Sequence, residues 1–180
     1  MILQLVRHPD SPSRSVERIA VETTREASGR LTLRYVAIGA IANLLVPRLE
    51  ASERTDDLWK TTCFEAFVRP GAGPGYLEFN MSPSTRWAAY RFDAYREGMA
   101  DLDIPAPVLR VASSETELVL DAAFELGAVA GAGDWRLAIT AVIEDLTGGI
   151  SYWSLHHPAD RPEFHHPDGF VHPLLNPEGA

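Results

Sequence analysis

Apolar and polar residues alternate with a period of two along most of this chain, and that period marks half-buried β-strands. In Tyr76–Ser82, Leu77, Phe79 and Met81 alternate with Tyr76, Glu78, Asn80 and Ser82. In Glu117–Leu126, Leu118, Leu120, Ala122, Phe124 and Leu126 fall on one face, and Trp135, Leu137, Ile139, Ala141 and Ile143 repeat the pattern. Further strands are predicted at Ile2–Arg7, Val16–Ala27, Leu31–Ala37, Cys63–Arg69, Val108–Ala112 and Ile150–Leu155. The Ser28-Gly29 turn joins two of them as a hairpin. Gly39–Leu49 suits a strand or a single turn, Asp93–Pro107 a long connection, and Gly127–Gly133 an Ala/Gly loop. About ten short strands between Gly/Pro turns predict an all-β fold, a two-sheet antiparallel β-sandwich, rather than βαβ units. Phe124, Leu120, Leu77, Phe79, Leu137 and Ile139 are expected to share its core.

The chain of 180 residues fits one domain spanning 1–180. Residues 156–173 differ from the rest: they hold five of the six histidines and four prolines. Proline fixes φ and removes a donor, so this segment is expected to be an irregular strap docked by Phe164 and Phe170, neither strand nor helix. The net charge of −9 excludes a phosphate-backbone partner of the usual kind, since nucleic-acid binders present a basic face. Cys63 is the only cysteine, which argues against disulfides and fits an inert core thiol. The short apolar start at Met1–Leu5 lacks the features of a signal peptide, and no apolar run reaches the roughly 20 residues of a membrane span. A cytoplasmic protein without a membrane partner is therefore expected; the sequence leaves the oligomeric state open.

The candidate chemistry lies on the polar side of two central strands. Glu65 and Glu78 on neighbouring strands, beside Asn80, form a face of acceptors rather than surface filler. Paired carboxylates bind sugar hydroxyls while an aromatic ring stacks on the sugar's C–H face. They could also carry acid–base glycoside hydrolysis, the least favoured alternative. Trp59 shares the parity of Glu65 but would lie roughly 20 Å away along a straight strand, so it must sit on a loop folded over the sheet. Two like charges on adjacent strands need an offset, and Arg161, between Pro158 and Pro162, is the expected one; Arg86 and Arg91 are further candidates. His157 of the strap is a further candidate for contact with the ligand; the strap histidines could alternatively ligate a metal, although neither HHPAD nor FHHPD has a strong zinc spacing.

The segments LWKTTCFEAFV (58–68), GYLEFNMSP (75–83), WAAYRFDAYREGM (87–99) and YWSLHHPADRPEFHHPDGF (152–170) resemble bacterial DOMON-like proteins grouped with type 9 carbohydrate-binding modules. The resemblance covers most of Leu58–Phe170. It implies a jelly-roll-like sandwich that binds a small molecule, a sugar in some members, without catalysis and without a cofactor. On that pattern Trp59 is a clamping aromatic and Glu65 a hydroxyl-binding carboxylate. Glu78 or Asn80 takes the next polar position, and Arg86 or Arg91 the basic one. Trp153 lies near the place of a second clamp, where the histidine strap replaces the usual ending. Haem-binding relatives suggest an alternative haem- or metal-binding module using Met81, Met99 and the strap histidines.

Overall fold

The computed structural model describes residues 2–177, and twelve strands are found among them. They are β1 (Ile2–Arg7), β2 (Val16–Arg25), β3 (Arg30–Gly39), β4 (Cys63–Pro70), β5 (Tyr76–Met81) and β6 (Trp87–Phe92). Then follow β7 (Ala100–Asp101), β8 (Val108–Ser113), β9 (Glu117–Glu125), β10 (Trp135–Glu144), β11 (Ile150–Ser154) and β12 (His172–Leu174). Among the described residues the helical elements include an α-turn at Gly127–Ala130 and 3₁₀ turns at Ile41–Asn43, Leu58–Lys60 and Pro167–Gly169.

The strands form a curled antiparallel sheet in the order β7-β6-β5-β4-β10-β11-β1-β2-β3-β9-β8, with β12 also beside β10. β1 makes the join. Ile2–Leu5 pair with β2, whereas Val6 and Arg7 pair with β11. The curl turns the two flanks towards each other, so that Phe79 of β5 meets Phe124 of β9 at 4.7 Å between ring centres. The buried Tyr35 hydroxyl of β3 donates across the same interior to the Glu65 carbonyl at 2.8 Å. Leu77, Phe79, Leu120, Phe124, Leu137 and Ile139 all belong to one buried cluster, as the alternation predicts. The β2–β3 hairpin turns at Gly29, whose φ is +81°. A Cβ there would lie 2.4 Å from the Gly127 Cα, so both conformation and space require glycine.

β4 and β5 are unusual in that Cys63–Val68 and Tyr76–Met81 are buried on both faces. Their inner side chains enter the main core. Their outer ones join a second cluster of Phe67, Tyr76, Ala88, Tyr90, Phe92 and Ala138, closed by Phe170 from the strap. The strap is thus docked, with the Phe170 ring 5.5 Å from that of Tyr76 and 6.5 Å from that of Phe67. It is more regular than its prolines suggest, with a 3₁₀ turn at Pro167–Gly169 and strand β12. β12 pairs with Trp135–Leu137, beyond the stretch of β10 that β11 occupies, and Pro173 is tolerated because β12 is an edge. Gly39–Leu49 resolves into the turn at Ile41–Asn43 and one bridge from Leu44 to Asp145. The long connection contains the short β7, paired with Tyr90 and Arg91, and the Ala/Gly loop contains one α-turn.

Candidate functional site

The outer face of β4, β5, β6, β10 and β11 carries an open cavity of about 910 Å³. Register sets its floor. Glu65 is directly opposite Asn80 on one side and Thr140 on the other, while Glu78 is opposite Phe67 and Tyr90. The two carboxyl side chains are therefore diagonal neighbours across the β4–β5 ladder, with Cβ atoms about 7 Å apart, close enough to meet one small ligand. Val142 and Tyr152 extend the floor, and Trp59, Asp56, Asp57, Arg96, Met99 and Asp101 complete the lining. Arg161, Pro162, Phe164 and His165 overhang it from the strap.

Trp59 reaches this place because the chain breaks before β4. Asp57 adopts φ +64°, and its side chain ties Lys60 Nζ at 2.7 Å, closing the turn Leu58–Lys60. Leu58 packs on the outer apolar cluster, and the adjacent indole is left 51% exposed at the mouth of the cavity.

The carboxyls are held very differently from surface acids. Glu65 is 3% exposed; Thr140 Oγ1 donates to its Oε2 at 3.1 Å, and its Oε1 has no partner. Burial, followed by the charge of Glu78, raises its pKa to about 8 despite the Thr140 bond. Glu78 is raised to about 7, again by burial, against the hydrogen bond from Asn80 and the charge of Arg96. Asn80 Nδ2 donates to Glu78 Oε1 at 2.7 Å, which leaves Asn80 Oδ1 buried without a donor.

A second chain of contacts orders the strap. Arg96, in a turn with φ +56°, gives its backbone N–H to the Tyr76 hydroxyl at 3.2 Å, and that hydroxyl lies 2.8 Å from His165 Nδ1. With the hydroxyl donating onward, His165 carries its proton on Nε2, which faces Glu78 Oε2 at 3.8 Å. Burial and the nearby Arg96 hold His165 down to about 4, so it is neutral at pH 7. The Arg96 guanidinium is itself engaged, with Nε and Nη2 donating to Glu163 Oε1 at 3.2 and 2.8 Å. Burial alone would raise Glu163, but Arg96 prevails and keeps it below the usual carboxylate range.

Of the residues selected from sequence, Trp59, Glu65, Glu78 and Arg161 line the cavity and Asn80 lies behind the carboxyls. Arg161 is exposed and forms no ion pair among the described residues; the cation acting on Glu78 is Arg96. Arg86, in the turn before β6, instead pairs with Glu50. Arg91 has the opposite parity to Tyr90 and pairs with Asp93 at 3.2 Å. His157, at the start of the strap, is turned to β1 rather than to the cavity, its Nε2 2.8 Å from the Val6 carbonyl oxygen and its ring against His8. Trp153 is no clamp, because its parity sends it into the core, where its indole N–H donates to Ser151 Oγ. The aromatics lining the cavity from this side are the half-buried Tyr152 and Phe164, in edge contact at 6.1 Å.

The strap histidines disperse: His165 contacts Tyr76, His172 contacts Thr23, and His166 Nδ1 accepts from the Asp168 N–H. Among the described residues no three His, Cys, Asp or Glu side chains converge as a metal site. Met81 is fully buried in the core, and Met99 sits on the cavity rim.

The structure thus defines a class: an all-β domain whose curled antiparallel sheet carries an aromatic-walled, carboxyl-floored cleft on its outer face. Two solved structures share this fold. One, a protein from Bacteroides uniformis provisionally assigned to carbohydrate binding, matches with a TM-score of 0.68 at 18% identity, over 97% of this chain and 85% of its own. The other is a family 9 carbohydrate-binding module from Caldicellulosiruptor kristjanssonii in complex with glucose, with a TM-score of 0.56 at 7% identity, over 96% and 83%. No protein-family model and no curated protein matches the chain by sequence.

Proposed function

We propose that this protein is a non-catalytic carbohydrate-binding module that holds a sugar-like polyol in the cleft. The observation that carries the reading is the pairing of a half-exposed indole, Trp59, with buried carboxyls Glu65 and Glu78 in one cavity. An indole covers the apolar face of a sugar ring, and fixed carboxyl oxygens accept from its hydroxyls. The fold shared with a module solved in complex with glucose supports the same reading. In this reading the curl is the two-sheet, jelly-roll-like sandwich of DOMON-like proteins, and the lone buried Cys63 suits a reducing cytoplasm.

The test is calorimetric titration of the full chain with monosaccharides and short oligosaccharides, repeated for Trp59→Ala. Loss of the ring should weaken sugar binding by roughly ten-fold or more while unfolding stability changes by about 0.5 kcal/mol or less, as expected for a surface position. Sugar affinity that survives Trp59→Ala unchanged would remove the cleft from the reading. Turnover of a chromogenic aryl glycoside would move the assignment to paired-carboxylate hydrolysis.

A further inference from the structure

The polar inventory of the cleft is unbalanced. With both carboxyls ionised, its acceptors exceed its donors. Glu65 Oε1 and Asn80 Oδ1 are buried without a donor, and Glu78 Oε2 has only His165 Nε2 at 3.8 Å, beyond hydrogen-bond reach. The Asn80 amide cannot simply be reversed, because its Nδ2 is needed by Glu78 Oε1. Three of the cations nearby are committed elsewhere, Arg96 to Glu163, Lys60 to Asp57, and Arg54 to the carbonyls of Ala89 and Leu102, while Arg161 stands exposed on the strap and bonds neither carboxyl. The Tyr90 hydroxyl is likewise spent on Asp56, at 2.6 Å. Asp56, Asp57, Glu65, Glu78 and Asp101 all line the cavity, against Arg96 and Arg161.

From this we propose that the cleft selects a cationic amino sugar, whose ammonium group sits between Glu65 and Glu78 while Trp59 covers the ring. The inference rests on the carbohydrate-binding reading and specifies its ligand. A hydroxyl brings one donor together with lone pairs that would face the carboxyl oxygens. An ammonium brings three donors, no acceptor and the missing positive charge. It also restores both carboxyls to the ionised form that burial disfavours, so binding releases protons. A uronic acid would add a further negative charge beside two acids and is rejected.

The experiment titrates the full chain at pH 7 with glucosamine, glucose, N-acetylglucosamine and glucuronate, in two buffers of different ionisation enthalpy. Glucosamine should bind roughly ten-fold or more tightly than glucose, the usual worth of one charge-assisted contact, with a buffer-dependent heat reporting proton release. N-acetylation, which removes the charge and two of the three donors, should erase the advantage, as should the near-isosteric Glu65→Gln and Glu78→Gln, which leave the ligand unchanged, with thermal melts verifying that each folds. Glucose binding as tight as glucosamine overturns the inference while the carbohydrate reading stands. No binding of any of the four, nor of oligosaccharides, overturns both.

Discussion

Substituting Glu65→Gln should flatten the pH dependence of stability, and the size of the effect follows from its burial. The folded protein holds Glu65 at about 8, above its ordinary 4.5, because the carboxyl is fully buried beside Glu78. Between those values the folded state keeps a proton that the unfolded chain has released. The stability linked to that proton is therefore complete below 4.5 and is lost as pH rises through 8. Glu78, held at about 7, adds the same sign over a shorter range. His165 acts oppositely: held to about 4 against its ordinary 6.5, its contribution is complete above 6.5 and lost as pH falls. Above pH 6.5 the opposing slope of the histidine fades as the unfolded imidazole loses its proton, and Glu65 dominates. At about 1.4 kcal/mol per pH unit for one linked proton, the wild type should lose about 2 kcal/mol between pH 6.5 and 8. Glutamine preserves the shape, carries no titrating proton, and can offer its amide to the unpaired Asn80 Oδ1. Urea unfolding followed by tryptophan fluorescence at several pH values measures the slope directly. Equal slopes for wild type and Glu65→Gln over this window would refute the claim that Glu65 is buried as a neutral acid.

Other consequences are simpler. Phe124→Ala deletes a fully buried ring packed on Phe79 and should cost roughly 3–5 kcal/mol in denaturant unfolding. Arg96→Ala removes the two guanidinium donors to the buried Glu163, leaving it the His165 N–H, and should cost on the order of 1 kcal/mol, moderated because Arg96 is half-exposed; an NMR titration should find the Glu163 carboxyl shifted upwards. Thr140→Val withdraws the hydrogen bond that lowers Glu65, so the alkaline loss of stability, which sets in above 4.5 in both proteins, should continue to a higher pH in the variant. Deleting everything after Leu155 takes away Phe170 and β12 and should lower the urea midpoint; an unchanged midpoint would show that the strap is not part of the packed structure.

Strand parity was readable wherever the face opposite the core was polar, as in β9, whose Leu118, Leu120, Ala122 and Phe124 turn inward. It was readable even in β5, where the polar set of Glu78 and Asn80 separates cleanly from Leu77 and Phe79. What a period cannot supply is the identity of a partner strand. Thr140 became a partner of Glu65 only through the β4–β10 register, across a sequence separation of 75 residues. Arg96 had less signal still, since it lies in an irregular turn and its partner Glu163 is 67 residues away in the strap. Arg161 was a reasonable choice by local stiffness, but prolines fix the backbone and not the direction of a long side chain. Tyr90 could have been found from its parity, because β6 places it beside Glu78.

The position of the strap in the chain also sets the order in which the cleft can be made. The meander of β4, β5 and β6, residues 63–92, pairs between neighbours and can form on a ribosome as soon as it emerges. Its outer face then carries two carboxyls and a ring of aromatics with nothing over them. β10 and β11 arrive some 45 residues later, β1 can close the curl only once β11 exists, and Glu163, His165 and Phe170 follow after that. Until residue 170 has been released, Arg96 lacks its carboxylate and Tyr76 its imidazole. The cleft is consequently completed only once the strap has been made, and a nascent chain stalled before it should display the sheet without the finished binding site.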